Sequence, residues 1–300
     1  MIFTIFARTA WSATGLIVQN FLVAGGRPVI SGNSIAVNNF IALLGGGPTS
    51  IYELDSGGYW NLTQTLPTGG PAAISGNTLL LGNVPAQPLT FNPAAVYVSD
   101  AAGNWTQQAL LSAPDTNDYD EYGTAVAVDG NIAVVGAEVH GRGESATGNS
   151  YGAAYIFQRD STGSWSLVQE LLPPALDPAG NPVIQFGASV AVSGKTLLVY
   201  ANEQVTVGNV TNSNPQIYVY GEQNNGNWVL QTVLSGPYST VATNPITIQG
   251  NQIAVQTPVA TDDSDKVDVY VPDASGTWNL SQALSGASVQ ITGPPGQTFG

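Results

Sequence analysis

Trp165-Ser-Leu-Val-Gln-Glu-Leu171 decides the fold, because the same phrase stands at Trp60-Asn-Leu-Thr-Gln-Thr-Leu66 and Trp278-Asn-Leu-Ser-Gln-Ala-Leu284, with looser copies from Trp105 and Trp228. A second phrase interleaves with it. Short alternating runs meet at a glycine in Val29-Ile-Ser-Gly-Asn33, Ala73-Ile-Ser-Gly-Asn77, Val128-Asp-Gly-Asn131, Val192-Ser-Gly-Lys195 and Ile248-Gln-Gly-Asn251. Two phrases in fixed order, at a period of roughly 40 to 60 residues, mark a propeller or solenoid whose units bury their faces only against one another.

Each unit parses into four strands, A to D, most plainly at Ser189-Val-Ala-Val192, Thr196-Leu-Leu-Val-Tyr200, Gln216-Ile-Tyr-Val-Tyr220 and Trp228-Val-Leu-Gln-Thr-Val-Leu234. The A-to-B connection is a two-residue Gly-Asn or Gly-Lys turn, where glycine takes the positive φ that tight hairpins demand. The C-to-D connections, such as Ser56-Gly-Gly58 and Thr162-Gly-Ser164, carry the same chemistry. Four antiparallel strands per unit make a propeller blade, so the expected fold is all-β without helix, with full blades over 27–66, 71–111, 122–172, 186–235 and 245–285. At the ends, Ile2-Phe-Thr-Ile-Phe-Ala7 reads as a C strand, 15–22 as a D strand and 288–293 as an A strand. Joining 288–300 to 1–22 gives a sixth, composite blade and one domain over 1–300; seven blades is the alternative. The recurring tryptophans are expected to pack between blades, the other reading being exposed platforms for sugar rings.

Composition narrows the function. Six basic residues against 20 acidic ones give a net charge of -14, which repels nucleic-acid phosphates and anionic lipid headgroups. The chain has no cysteine, which removes thiol catalysis and cysteine-bound metals. Nothing apolar is long enough to span a bilayer, and the N-terminal Met1-Ile-Phe-Thr-Ile-Phe-Ala-Arg8 lacks the basic start of a secretory signal and reads as a strand. With one histidine, a serine triad has only His140 to use, and no Gly-x-Ser-x-Gly elbow occurs. Paired carboxylates among Asp115, Asp118, Asp120, Glu138 and Glu144 leave glycoside cleavage as a minor reading. The expectation is a protein without enzymatic activity. The four sequons, at Asn61, Asn104, Asn209 and Asn279, mostly flank the repeated tryptophan and are explained by the repeat.

The third unit reads Tyr122-Gly-Thr-Ala-Val-Ala-Val-Asp-Gly-Asn-Ile-Ala-Val-Val-Gly-Ala137, then Gly152-Ala-Ala-Tyr-Ile-Phe157 and the tryptophan phrase; Phe186-Gly-Ala-Ser-Val-Ala-Val192 opens the fourth. This resembles the FG-GAP repeat family, which forms β-propellers in integrin α-subunits and in bacterial surface proteins. The resemblance implies extracellular or cell-surface recognition and adhesion. Integrin-type repeats carry an acidic calcium loop between strands A and B, and here that loop is trimmed to a two-residue turn with at most one carboxylate, too few for an ion that takes six to eight oxygens. No cofactor is therefore expected.

Turn glycines at 32, 76, 130, 194, 250 and 293 are unevenly spaced, and the extra length falls in the D-to-A connections 112–121, 173–185 and 235–245 and the B-to-C connections 137–151, 201–215 and 256–266. In an up-and-down blade these emerge on one face, and insertions confined to one face mark a binding face. The third unit stands out. Asp115-Thr-Asn-Asp-Tyr-Asp-Glu-Tyr122 packs four carboxylates and two tyrosines into eight residues, and Glu138-Val-His-Gly-Arg-Gly-Glu144 holds the single histidine. The candidate ligand-binding residues are Asp115, Asp118, Tyr119, Asp120, Glu138, His140 and Arg142, with His140 expected as an exposed loop residue. A cation site of Asp115, Asn117, Asp118 and Asp120 has suitable oxygen ligands. The expected partner is a protein or glycan, bound by a monomer or by part of a larger surface assembly. A lectin with one pocket per blade is the alternative, disfavoured by the unequal loops.

Overall fold

The computed structural model describes residues 3–5, 19–21, 28–41, 45–82, 93–116, 119–141, 151–174, 181–207, 210–236, 246–257, 266–285, 291–292 and 298–299. Among them there is no helix. Two short strands, β1 (Phe3–Ile5) and β2 (Gln19–Phe21), pair antiparallel. Five four-stranded antiparallel sheets follow. The first holds β3 (Pro28–Ser31), β4 (Ser34–Ile41), β5 (Gly45–Leu54) and β6 (Trp60–Leu66); the second β7 (Ala72–Ser75), β8 (Thr78–Leu81), β9 (Ala94–Ser99) and β10 (Trp105–Leu111). The third is β11 (Tyr122–Asp129), β12 (Ile132–Ala137), β13 (Ala153–Arg159) and β14 (Trp165–Leu171). The fourth is β15 (Val183–Ser193), β16 (Thr196–Val207), β17 (Val210–Glu222) and β18 (Trp228–Ser235), and the fifth β19 (Ile246–Gln249), β20 (Gln252–Thr257), β21 (Lys266–Pro272) and β22 (Trp278–Ser285). A last pair, β23 (Ile291–Thr292) and β24 (Thr298–Phe299), closes the described chain. Consecutive strands are neighbours throughout, which is the up-and-down order of propeller blades. The chain forms two compact units, Met1–Pro173 with Gln185–Ala188, and Pro174–Ile184 with Ser189–Gly300.

Within the first unit the second strands of two sheets, β8 and β12, are buried on both faces. Ile132–Ala137 and Thr78–Leu81 are buried at every position, so they read as continuous apolar runs rather than alternating ones. One core joins the second and third sheets through Leu80, Val96, Leu111, Tyr122, Val135 and Tyr155; another joins the first and second through Ile51, Leu66, Leu79 and Trp105.

The repeated phrases correspond to repeated joints. All five A-to-B turn glycines, Gly32, Gly76, Gly130, Gly194 and Gly250, have φ near +55°, a conformation that costs other residues about 1–2 kcal/mol. The serine ahead of this glycine receives the next sheet's turn: Gly76 N–H donates to Ser31 Oγ at 2.9 Å, Gly130 N–H to Ser75 Oγ at 3.1 Å and Gly250 N–H to Ser193 Oγ at 3.0 Å. The aromatic-glycine and glycine-alanine elements fit each other. A Cβ on Gly136 would sit 2.0 Å from Gly187 O, and one on Gly82 2.0 Å from Gly123 O, so each pair meets backbone to backbone.

Trp105 is 2 % exposed, and its indole N–H donates to Glu53 Oε1 at 3.2 Å. The glutamine of the phrase has a role too, since Gln64 Nε2 donates to Trp105 O at 2.7 Å while Trp105 N–H donates to Gln64 Oε1 at 2.8 Å. Trp228 is also buried, whereas Trp60, Trp165 and Trp278 are half-buried. Trp165 sits under the Arg159 guanidinium at 5.3 Å and donates to Gln108 Oε1 at 2.9 Å. Every D strand bulges three residues after its tryptophan, at Thr63, Gln108, Val168, Gln231 and Ser281. A bulge bends the outer strand and re-aims its side chains, and the phrase's first leucine accordingly faces solvent at Leu62, Leu230 and Leu280.

One connection differs from its reading. Residues 201–215, expected as a loop, continue the β16 to β17 ladder out to Val207↔Val210. Here Glu203, 4 % exposed, accepts from Asn181 Nδ2, Asn214 Nδ2 and Gln216 Nε2, each at 2.8 Å.

Candidate functional site

The site builds up at one end of the third sheet. Tyr155 enters on β13 and Glu170 on β14, directly opposite each other in the ladder. Asp115 and Asp120 come from the connection leading into β11, and His140 from the turn leaving β12. That turn is fixed by its backbone: His140 N–H donates to Ala137 O at 3.1 Å, Gly152 N–H to His140 O at 3.1 Å and Val139 N–H to Asp120 O at 3.2 Å. Gly141, at φ +75°, leaves no room for a Cβ against the Tyr151 ring, which draws the chain tightly past the imidazole.

His140 is not the exposed loop residue expected from its sequence. It is 9 % exposed, with its ring edge-on to Tyr151 at 5.8 Å and to Tyr155 at 6.1 Å. Short-range turn bonds fold its segment back under the sheet end, which a polar Gly-rich stretch does not disclose. Its Nδ1 lies 2.9 Å from Asp120 Oδ2, and Asp120 is 1 % exposed. Its Nε2 lies 3.8 Å from Glu170 Oε1. Donor atoms of Asp115, His140 and Glu170 all fall within 4.8 Å of one another, with Asp115 exposed and Glu170 half-buried.

The electrostatics are those of crowded carboxylates. Burial pushes the Glu170 carboxyl up, and the charge of Asp115 and a hydrogen bond shared with it push it further, against the lowering pull of His140. Burial also raises the Tyr155 phenol, as do Asp115, Glu170 and Asp120. Beside the cluster, burial and then the charge and shared hydrogen bond of Glu121 push Glu138 up to about 7. Glu121 sits at φ +55° immediately before Tyr122-Gly123, a backbone conformation rare outside glycine. Tyr122 is buried and donates to Leu111 O at 3.0 Å.

Of the residues singled out in the sequence, the structure brings Asp115, Asp120 and His140 together, and Tyr119 is 61 % exposed. Glu138 is turned toward Glu121. Asn117, Asp118, Arg142 and Glu144 lie outside the described residues. Asp120, expected beside Asp115 as an oxygen ligand, instead orients the imidazole. Sequence reading missed Glu170 and Tyr155 because both sit inside strands. A signal was present for Glu170: the other copies of the phrase have Thr65, Leu110, Val233 and Ala283 at that position, so it is the one charged residue there.

Residues 105–157, which carry most of this cluster, match the FG-GAP repeat family. With the stacked four-stranded sheets, this makes the chain a β-propeller protein bearing an FG-GAP repeat. No curated protein sequence matches it. Among solved structures it is similar to a protein from Lactobacillus plantarum, 14% identical over 94% of each chain with a TM-score of 0.51. It is also similar to a glycoside hydrolase, 10% identical over 87% of this chain and 86% of that one at a TM-score of 0.38. An exo-1,5-α-L-arabinanase from a bovine ruminal metagenomic library is 8% identical over 87% of this chain and 97% of that one, also at 0.38. The expectation of a protein without enzymatic activity is corrected by the last two, since structures similar to this chain include enzymes. At these identities the likeness concerns the fold and assigns no substrate.

Proposed function

We propose that the chain is a recognition propeller that binds a neutral glycan at the third sheet, through Asp115, Tyr119, His140 and Glu170. The convergence of Asp115, His140 and Glu170 from two connections and one strand carries the reading, with exposed Tyr119 on the same connection as Asp115. Carboxylates accept hydrogen bonds from sugar hydroxyls, and an exposed tyrosine ring offers an apolar face for stacking. The cluster's negative charge, on a chain of net charge -14, disfavours sulfated or sialylated ligands. Because Glu170 has no charged counterpart in the other four copies of its phrase, the reading is one site per chain and not a pocket per blade. It fits a protein displayed outside the cell, alone or within a larger surface assembly.

A glycan array followed by calorimetry tests this. Binding of a neutral glycan at one site per chain, weakened about tenfold or more in both Asp115→Asn and Tyr119→Ala, is the expected result. Binding only of anionic glycans, or affinity untouched by both variants, overturns it. A protein captured through the same residues would replace the glycan as ligand. Assaying the bound glycan for new reducing ends shows whether recognition is followed by cleavage.

A further inference from the structure

We infer that Asp115, His140 and Glu170 form a three-ligand site for a first-row divalent cation, with zinc the best fit and Asp120 the positioning residue behind the histidine. The inference takes the same cluster as the glycan reading and stands without it, since ion binding is measured with no glycan present.

The imidazole carries the argument. Asp120 Oδ2 lies 2.9 Å from Nδ1 and holds that edge of the ring, which leaves Nε2 directed at Glu170 Oε1, 3.8 Å away. The His140 side chain is 11 % exposed, and among the described residues the Glu170 carboxylate is the ion-pair contact of this nitrogen. A divalent cation held by neutral Nε2 and the two carboxylates would take the place of the proton that otherwise lies between them. Metal-bound histidines characteristically donate their other N–H to a carboxylate, which fixes the tautomer and raises the basicity of the ligating nitrogen. Asp120 is such a partner.

Geometry and donor type narrow the ion. Zinc bonds of about 2.0–2.2 Å put neighbouring ligand atoms roughly 3.3–3.6 Å apart, and the three donors here already lie within 4.8 Å. The histidine is clamped by its turn, so the remaining closure falls to exposed Asp115 and half-buried Glu170. One nitrogen and two carboxylates suit zinc or manganese, whereas calcium takes oxygen alone in larger number. Three protein ligands leave a fourth position open, the arrangement of zinc sites that engage a ligand and not of closed structural ones. Asp115 is exposed and opens that position to solvent.

The test is calorimetric titration of chelator-treated, desalted protein with zinc chloride at pH 7, repeated with calcium chloride, and cobalt absorption as a second readout. One zinc per chain is expected, with no saturable calcium heat and a visible cobalt band. His140→Ala should abolish binding, Glu170→Gln should weaken it strongly, and Asp120→Asn should weaken it about 10–100-fold while leaving one site. Glu170 is half-buried, so its variant keeps the experiment readable where His140→Ala fails to fold. Absence of saturable zinc binding up to about millimolar overturns the inference, as does unchanged affinity in Glu170→Gln, or calcium binding as tight as zinc. Zinc binding without any glycan would remove the glycan reading alone, and glycan binding without zinc would remove this inference alone.

Discussion

Asp120 and Glu138 show how much a carboxylate's role depends on the atoms a few ångströms away. Asp120 reads in the sequence as a candidate ligand-binding residue, yet it is 1 % exposed and lies 2.9 Å from Nδ1 of the single imidazole. Glu138 reads the same way and shares a hydrogen bond with Glu121. Its folded pKa, about 7 against the usual 4.5, means that the native state holds the proton more tightly than the unfolded chain. The resulting stability is complete below about pH 4.5 and is lost as pH rises toward 7. Glu138→Gln should therefore flatten the fall in stability over that window and leave the variant more stable than the parent above pH 7. Denaturant midpoints measured in chelator at pH 4.5, 6 and 7.5 check this; an unchanged pH slope in the variant would assign the titration elsewhere.

At the scale of elements, the sequence discloses what recurs and hides what does not. The blades and their turns were legible because five copies repeat the same glycine and tryptophan positions, and each copy calibrates the others. Glu170 and Tyr155 were not, because 15 residues of chain separate two groups that the ladder sets side by side, and because both occupy strand positions that read as packing. The outer half of the β16 to β17 hairpin was missed for another reason. Asn202, Glu203, Gln204, Asn214 and Gln216 break the apolar alternation, while backbone pairing runs on regardless. Buried polar groups there satisfy one another: Glu203 accepts three amide donors, and Gln216 also accepts from the Ser235 hydroxyl. Removing the acceptor strands those donors, so Glu203→Ala should cost about 2–4 kcal/mol. Urea denaturation measures it, and a loss under about 0.5 kcal/mol would mean that water replaces the carboxylate.

For the whole molecule, the two ends of the chain carry complementary strand pairs. The N-terminal β1 and β2 pair with each other, as do β23 and β24, and we propose the first pair as the C and D strands of a blade and the second as its A and B. Six blades, the last assembled from both termini, is the count we propose. Deleting residues 1–22 should then bare strand edges that pair with other molecules. Light scattering after size exclusion should show concentration-dependent aggregates, and a folded, monodisperse deletion would remove the composite blade from the proposal.

The serine-to-glycine contacts between successive turns have a consequence for how such a chain changes over generations. Ser31 to Gly76, Ser75 to Gly130 and Ser193 to Gly250 use the same two residues of one phrase, one as acceptor and one as donor. The second copy, with Gly76 as donor and Ser75 as acceptor, carries both halves of its joint, whereas the third and fifth have Asp129 and Gln249 in the serine's place. A copy of the second kind, duplicated in frame, arrives able to grip the copy before it and to be gripped by the one after, so the number of copies can drift without new interface chemistry, while a single copy is left at liberty to acquire a histidine.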